Sequence, residues 1–142
     1  MRTFVTSREI HAAPESIFAA ISTPDRLARW WGPAGFTNTF SVCEFRPGGR
    51  WSFVMHGPNG ASYPNENLFA EIEAPSKVVL DHITHPVFRL TITLDRTSTG
   101  TRLTWSQAIA DEQVAAAIEH IVVPANEQNL DRLTIEVTGA GV

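Results

Sequence analysis

Thr23-Pro24-Asp25-Arg26-Leu27-Ala28-Arg29-Trp30-Trp31-Gly32-Pro33 reads as a short helix that stops on two adjacent tryptophans. Thr23 stands where a capping hydroxyl belongs, Pro24 suits the first turn and Asp25 its positive end. Gly32-Pro33 then breaks the helix. Neighbouring helical residues point about 100° apart, so one core does not easily take both indole rings. With two of the four tryptophans at one helix end, the segment builds an aromatic wall that either closes a core or lines a pocket.

Before this segment, residues 3 to 11 are rich in β-formers and end at Ala12-Ala13-Pro14. Pro14 and Glu15 mark a second helix start, with Ile17, Phe18 and Ile21 as its apolar face. After it, the pattern changes to strands separated by turns, at residues 36–45, 50–57, 62–73, 77–84, 87–96 and 101–109. The breaks, Pro47-Gly48-Gly49, Gly57-Pro58-Asn59-Gly60, Ala74-Pro75, His85-Pro86 and Ser98-Thr99-Gly100, carry turn chemistry. Phe88, Leu90, Ile92 and Leu94 alternate with Arg89, Thr91, Thr93 and Asp95, the clearest half-buried strand. Such short connections favour antiparallel neighbours.

Asp111 opens a last helix whose apolar stripe is Val114, Ala117, Ile118, Ile121, Ala125, Leu130, Leu133 and Val137. Pro124 interrupts it and is expected to free the His120 carbonyl and bend the helix. Gly139 to Val142 are expected to fray. The order is strand, two helices, six strands, long helix. The expected fold class is α+β: a curved seven-stranded antiparallel sheet wrapped around the C-terminal helix, in one domain spanning residues 1–142.

Bulk composition removes several functions. The net charge is -4 and the 11 Lys and Arg are scattered, so no nucleic-acid footprint exists. Cys43 is alone, so it forms no intrachain disulfide and anchors no thiolate metal site. No apolar run approaches the roughly 20 residues that span a bilayer, and no signal-peptide core precedes the first strand. The expected setting is the cytoplasm, without membrane insertion. His82 and His85 fall on opposite faces of a strand and lack a third ligand, so no metal is expected. Gly-x-Ser-x-Gly, Gly-x-Gly-x-x-Gly and a phosphate loop are absent, and no cofactor is expected.

The run Ile10-His11-Ala12-Ala13-Pro14-Glu15-Ser16-Ile17-Phe18 through Thr23-Pro24, Leu27 and Trp30-Trp31-Gly32-Pro33 resembles the START-like (SRPBCC) superfamily. Within it the chain is similar to the branch named for the activator of the 90-kilodalton heat-shock protein's ATPase. Arg46-Pro47-Gly48-Gly49-Arg50-Trp51, Met55-His56-Gly57-Pro58-Asn59-Gly60, Tyr63-Pro64-Asn65-Glu66, Glu71-Ile72-Glu73-Ala74-Pro75 and Asp131-Arg132-Leu133 extend the match. The resemblance implies a helix-grip fold with a hydrophobic pocket between sheet and helix. Its members include lipid carriers, hormone receptors, and polyketide cyclases and aromatases. The namesake activators carry a further N-terminal chaperone-binding domain, whereas this sequence starts at the first strand, so a chaperone partner is not expected.

The expected function is therefore binding of a small hydrophobic molecule, in a pocket of about 300 to 1,000 Å³. Trp30, Trp31, Met55, His82, Trp105 and Asn126 are the candidate lining residues. His82 is in phase with Val78 and Leu80 on one strand face, as a satisfied core histidine or as a ligand contact. Asn126 follows Pro124 and either caps the freed helix turn or bonds a ligand. Phe40, Met55, Phe88, Trp105 and Val122 fill the core unless a cavity reaches them. A cyclase-like enzyme is the second reading, with Glu66, His82 or Asp81 and Tyr63 as its acid-base set. A co-chaperone or stress-response protein is the third, and an exposed sheet edge leaves a homodimer open.

Overall fold

The computed structural model describes residues 1–139. The chain forms β1 (Arg2–Ile10), α1 (Pro14–Ser22), α2 (Pro24–Trp30), β2 (Thr37–Cys43), β3 (Arg50–His56), β4 (Ser62–Glu73), β5 (Lys77–His82), β6 (Phe88–Arg96), β7 (Thr101–Ile109) and α3 (Glu112–Thr138). All seven strands join one antiparallel sheet in the order β1-β7-β6-β5-β4-β3-β2. Consecutive strands from β2 to β7 are neighbours, as their short turns require, and β1 closes onto β7 from the far end of the chain. Register shifts at Phe40/Val42 and Phe69/Glu71 insert extra residues that sharpen the local twist. This is the helix-grip architecture that the order of elements implies.

Alternation decides what faces inward. Leu90, Ile92 and Leu94 of β6 are buried together with Leu103, Trp105 and Ile109 of β7. Val78, Leu80 and His82 are buried on β5, so the phase read from the sequence is the real one. Leu130 and Leu133 of α3 close the other side of this core.

Two local expectations change. Thr23 makes no side-chain cap: its backbone N–H is tied to the Ala19 carbonyl as the end of α1, and one residue serves both helices. The apolar stripe of α3 is only half buried, with Ala115, Asn129, Leu130 and Leu133 inside while Ala117 is exposed and Ile121 is 58% exposed. α3 runs beside β1, an edge strand, as the pairs Arg2–Glu119 and Arg8–Asp131 show, so the sheet cannot cover the helix all along its length. Pro124 sits on the exposed side of α3, which continues unbroken from Glu112 to Thr138. Asp111 caps that helix as expected, its Oδ1 accepting from the N–H groups of Gln113 and Val114 at 2.8 and 3.1 Å. Gly139 ends it in the left-handed conformation; Ala140 to Val142 lie outside the described residues.

Candidate functional site

The two tryptophans take different places in one aromatic cluster because the helix stops between them. Trp30 is the last residue of α2 and is 1% exposed, its indole N–H donating to the Ala20 carbonyl at 3.0 Å. Trp31 has left the helix for an extended conformation (φ -67°, ψ 135°), and its ring meets that of Trp30 edge-on at 5.5 Å. It is 8% exposed and packs edge-on against Trp51 at 4.8 Å and obliquely on Trp105 at 5.7 Å. A backbone turn thus lets one fold take both rings, contrary to the expectation from helical geometry.

The carbonyls freed at this helix end are all answered by distant side chains. Ala28 O accepts from Asn38 at 3.0 Å, Arg29 O from Arg132 Nη2 at 2.7 Å and Trp30 O from Asn129 at 2.9 Å. Arg132 Nη1 also donates to the carbonyls of Trp31, Gly32 and Pro33 at 2.9–3.0 Å. Gly32 takes φ +95°, and a Cβ there would meet Met55 Cε at 3.2 Å. The positive φ is what favours glycine here, since the end of the flexible Met55 side chain can give by a few tenths of an ångström.

Behind this loop, between the sheet and α3, lies a cavity of about 200 Å³. Trp31, Phe53, Met55, Phe88, Leu90 and Trp105 give it an apolar wall. Asn65, Asn67, His82, Gln107, Asn126 and Asn129 are its polar side chains. Of the sequence candidates, Trp31, Met55, His82, Trp105 and Asn126 line this space, whereas Trp30 lies behind it in the core. Gln107, Asn129, Asn65 and Asn67 escaped the sequence reading. The signal was present: Gln107 is in phase with Leu103 and Trp105, and Asn67 with Phe69, as polar residues on buried strand faces. Asn129 adjoins buried Leu130.

His82 is held on both sides. Its Nδ1 lies 2.7 Å from the Pro86 carbonyl, which only accepts, so Nδ1 carries the proton. In the neutral ring Nε2 accepts from the Thr84 hydroxyl at 3.1 Å. The amide oxygen of Asn65 lies 2.7 Å from the same nitrogen, a contact that only the protonated ring satisfies. Burial outweighs these oxygens and pushes the imidazole below its ordinary value. The unfolded chain therefore takes up a proton first as pH falls. The stability that His82 contributes is intact above about 6.5 and is lost as pH drops through that value toward the lower folded one. Urea midpoints of the wild type and His82→Gln should consequently converge between pH 7.5 and pH 5.5; a constant gap would count against this reading.

The proposed acid-base set does not assemble. Asp81 is paired with Arg89 at 2.7 and 2.9 Å, Glu66 bonds the Ser52 hydroxyl, and Tyr63 is largely exposed. Only His82 of that group reaches the cavity. Burial pushes the Cys43 thiol up to about 11, which disfavours its thiolate at neutral pH. Among the described residues no cluster of three or more His, Cys, Asp or Glu is placed to hold a metal ion, and no helix is long and apolar enough to cross a membrane.

The likeness to solved structures extends over the whole fold. A solution structure from Arthrobacter aurescens superposes with a TM-score of 0.89 at 23% identity, over 97% of this chain and 87% of that one. A crystal structure from Chromobacterium violaceum gives 0.87 at 22% identity, over 96% and 98%. The AHSA1 protein from Silicibacter pomeroyi gives 0.76 at 21% identity, over 95% and 96%. Among the curated proteins none matches this chain. Residues 11–138 match the family described as Activator of Hsp90 ATPase homolog 1-like protein, and the chain belongs to that family.

Proposed function

We propose that this chain is a single helix-grip domain that binds a small, mainly apolar molecule between its sheet and α3. The observation that carries the reading is the cavity itself, walled by Trp31, Phe53, Met55, Phe88, Leu90 and Trp105 and bounded on one side by the Trp31–Pro33 loop. Rings and sulfur supply contact area, and a few polar side chains supply orientation.

Size limits the ligand. About 200 Å³ falls below the usual range of about 300 to 1,000 Å³ for drug-sized ligands. An apolar cavity of about 150 Å³ holds benzene. A one-ring molecule matches this space, whereas a long-chain lipid or a multi-ring polyketide would need it to widen or would extend beyond it.

Trp31 and Trp105 make the test direct, because both line the cavity and a ligand against either ring perturbs indole emission. Titration with toluene should give saturable quenching, and toluene at 100 times its Kd should add about 2.7 kcal/mol to stability. Ala125, on the α3 side of the cavity, tests location. Ala125→Trp should abolish the quenching while retaining a cooperative unfolding transition. Unchanged toluene binding in that variant would place the ligand elsewhere and sink the proposal.

A further inference from the structure

Neither Asp, Glu, Lys nor Arg lines the cavity among the described residues; besides the indoles of Trp31 and Trp105, its polar side chains are five carboxamides and one imidazole. Three of the five have their amino group tied to a backbone carbonyl. Asn129 accepts from Gly32 N at 3.3 Å and donates to Trp30 O at 2.9 Å. Asn65 donates to Tyr63 O at 2.8 Å and sets its oxygen against His82. Asn67 donates to Trp51 O at 3.2 Å, which ties it to the strand beside it.

Asn126 and Gln107 differ. They bond only to each other among the described residues, Asn126 Nδ2 donating to Gln107 Oε1 at 3.1 Å between α3 and β7. Each carboxamide has an amino group and a carbonyl, so one bond between the two leaves one amino group and one carbonyl without a partner. Turning both amides over reverses the bond and leaves the same inventory. Both residues line the cavity, and neither free group is among the buried polar atoms without a partner, so both remain open to a ligand.

We infer that the ligand is an uncharged, one-ring molecule bearing a carboxamide or lactam, whose carbonyl and N–H are answered by the free amino group and carbonyl of the Asn126–Gln107 pair. The inference rests on the binding reading above and adds the ligand's chemical class. A carboxylate of the same shape meets the same donor but brings a charge that no side chain in the cavity offsets. A plain hydrocarbon fills the apolar wall and leaves the amide pair unanswered.

Three probes of one shape separate these cases: benzamide, benzoate and toluene, titrated at pH 7.5 by tryptophan quenching and by thermal shift. Benzamide should bind at least about tenfold more tightly than either of the others. In Asn126→Leu with Gln107→Leu, benzamide should fall to within about twofold of toluene while toluene binding persists, and that persistence shows that the variant still folds. Asn126→Ala, a smaller change, should lose most of the same preference. If toluene equals benzamide in the wild type, or benzoate equals it, the ligand class is wrong and the cavity reading stands. If none of the three binds, both fall together.

Discussion

Arg132→Ala is expected to lower the unfolding free energy by about 3 kcal/mol, or roughly 10 °C in Tm for a chain of this size. One guanidinium donates to four carbonyls, those of Arg29, Trp31, Gly32 and Pro33, and no acid pairs with it among the described residues. Its charge also sits at the negative end of α2. Removing it leaves carbonyls at a partly buried helix end without donors, which costs more than the bonds themselves contribute. Arg132→Lys keeps the charge but not the planar fork, and should recover less than half of the loss. The check is urea denaturation of both variants. A loss under about 1 kcal/mol for Arg132→Ala would mean that water replaces the guanidinium without penalty. Because the same loop flanks the cavity through Trp31, Gly32 and Pro33, toluene affinity should fall in parallel.

Trp51→Ala is expected to cost about 4 kcal/mol, the largest single loss in the molecule. Trp51 is fully buried in β3 and is the hub of the aromatic core. It stacks on Phe69 at 5.7 Å with the rings 7° from parallel, and contacts Phe53 at 4.7 Å, Trp31 at 4.8 Å and Phe40 at 5.5 Å. Truncation removes ring area and leaves a void that four other rings cannot all collapse into. Trp51→Phe should be far milder, about 1 kcal/mol, since the indole N–H of Trp51 is buried without a partner and its removal relieves a penalty. Chemical denaturation with unchanged m-values measures both. Equal losses for Ala and Phe would show that the indole ring as such, rather than buried aromatic area, holds the core.

Much of the fold was legible in the residues because its signals are local. Alternation along 88–96, turn residues such as Pro47-Gly48-Gly49 and the Asp111 cap each act within a few positions, and all recur in the structure. The phase of Val78, Leu80 and His82 placed that histidine inside correctly. The same argument applied to Leu103, Trp105 and Gln107 would have found the second half of the amide pair. Thr23 misled because a capping hydroxyl is also a plausible link between helices, and here its backbone does the linking. The α3 stripe misled because periodicity says which face is apolar, not how far the sheet reaches over it.

By itself, then, the sequence determined the element order, the antiparallel sheet, the aromatic wall at Trp30-Trp31 and the absence of a basic surface. Each of these depends on neighbours a few residues apart or on composition. Tertiary structure alone decided which tryptophan faces the cavity, which side chains hold the loop and which amides are left free. Those outcomes are contacts between groups far apart along the chain, Arg132 with Trp31 at a separation of 101 residues and Asn126 with Gln107 across two elements. No local period encodes such pairs, because they exist only once the sheet has closed around the helix.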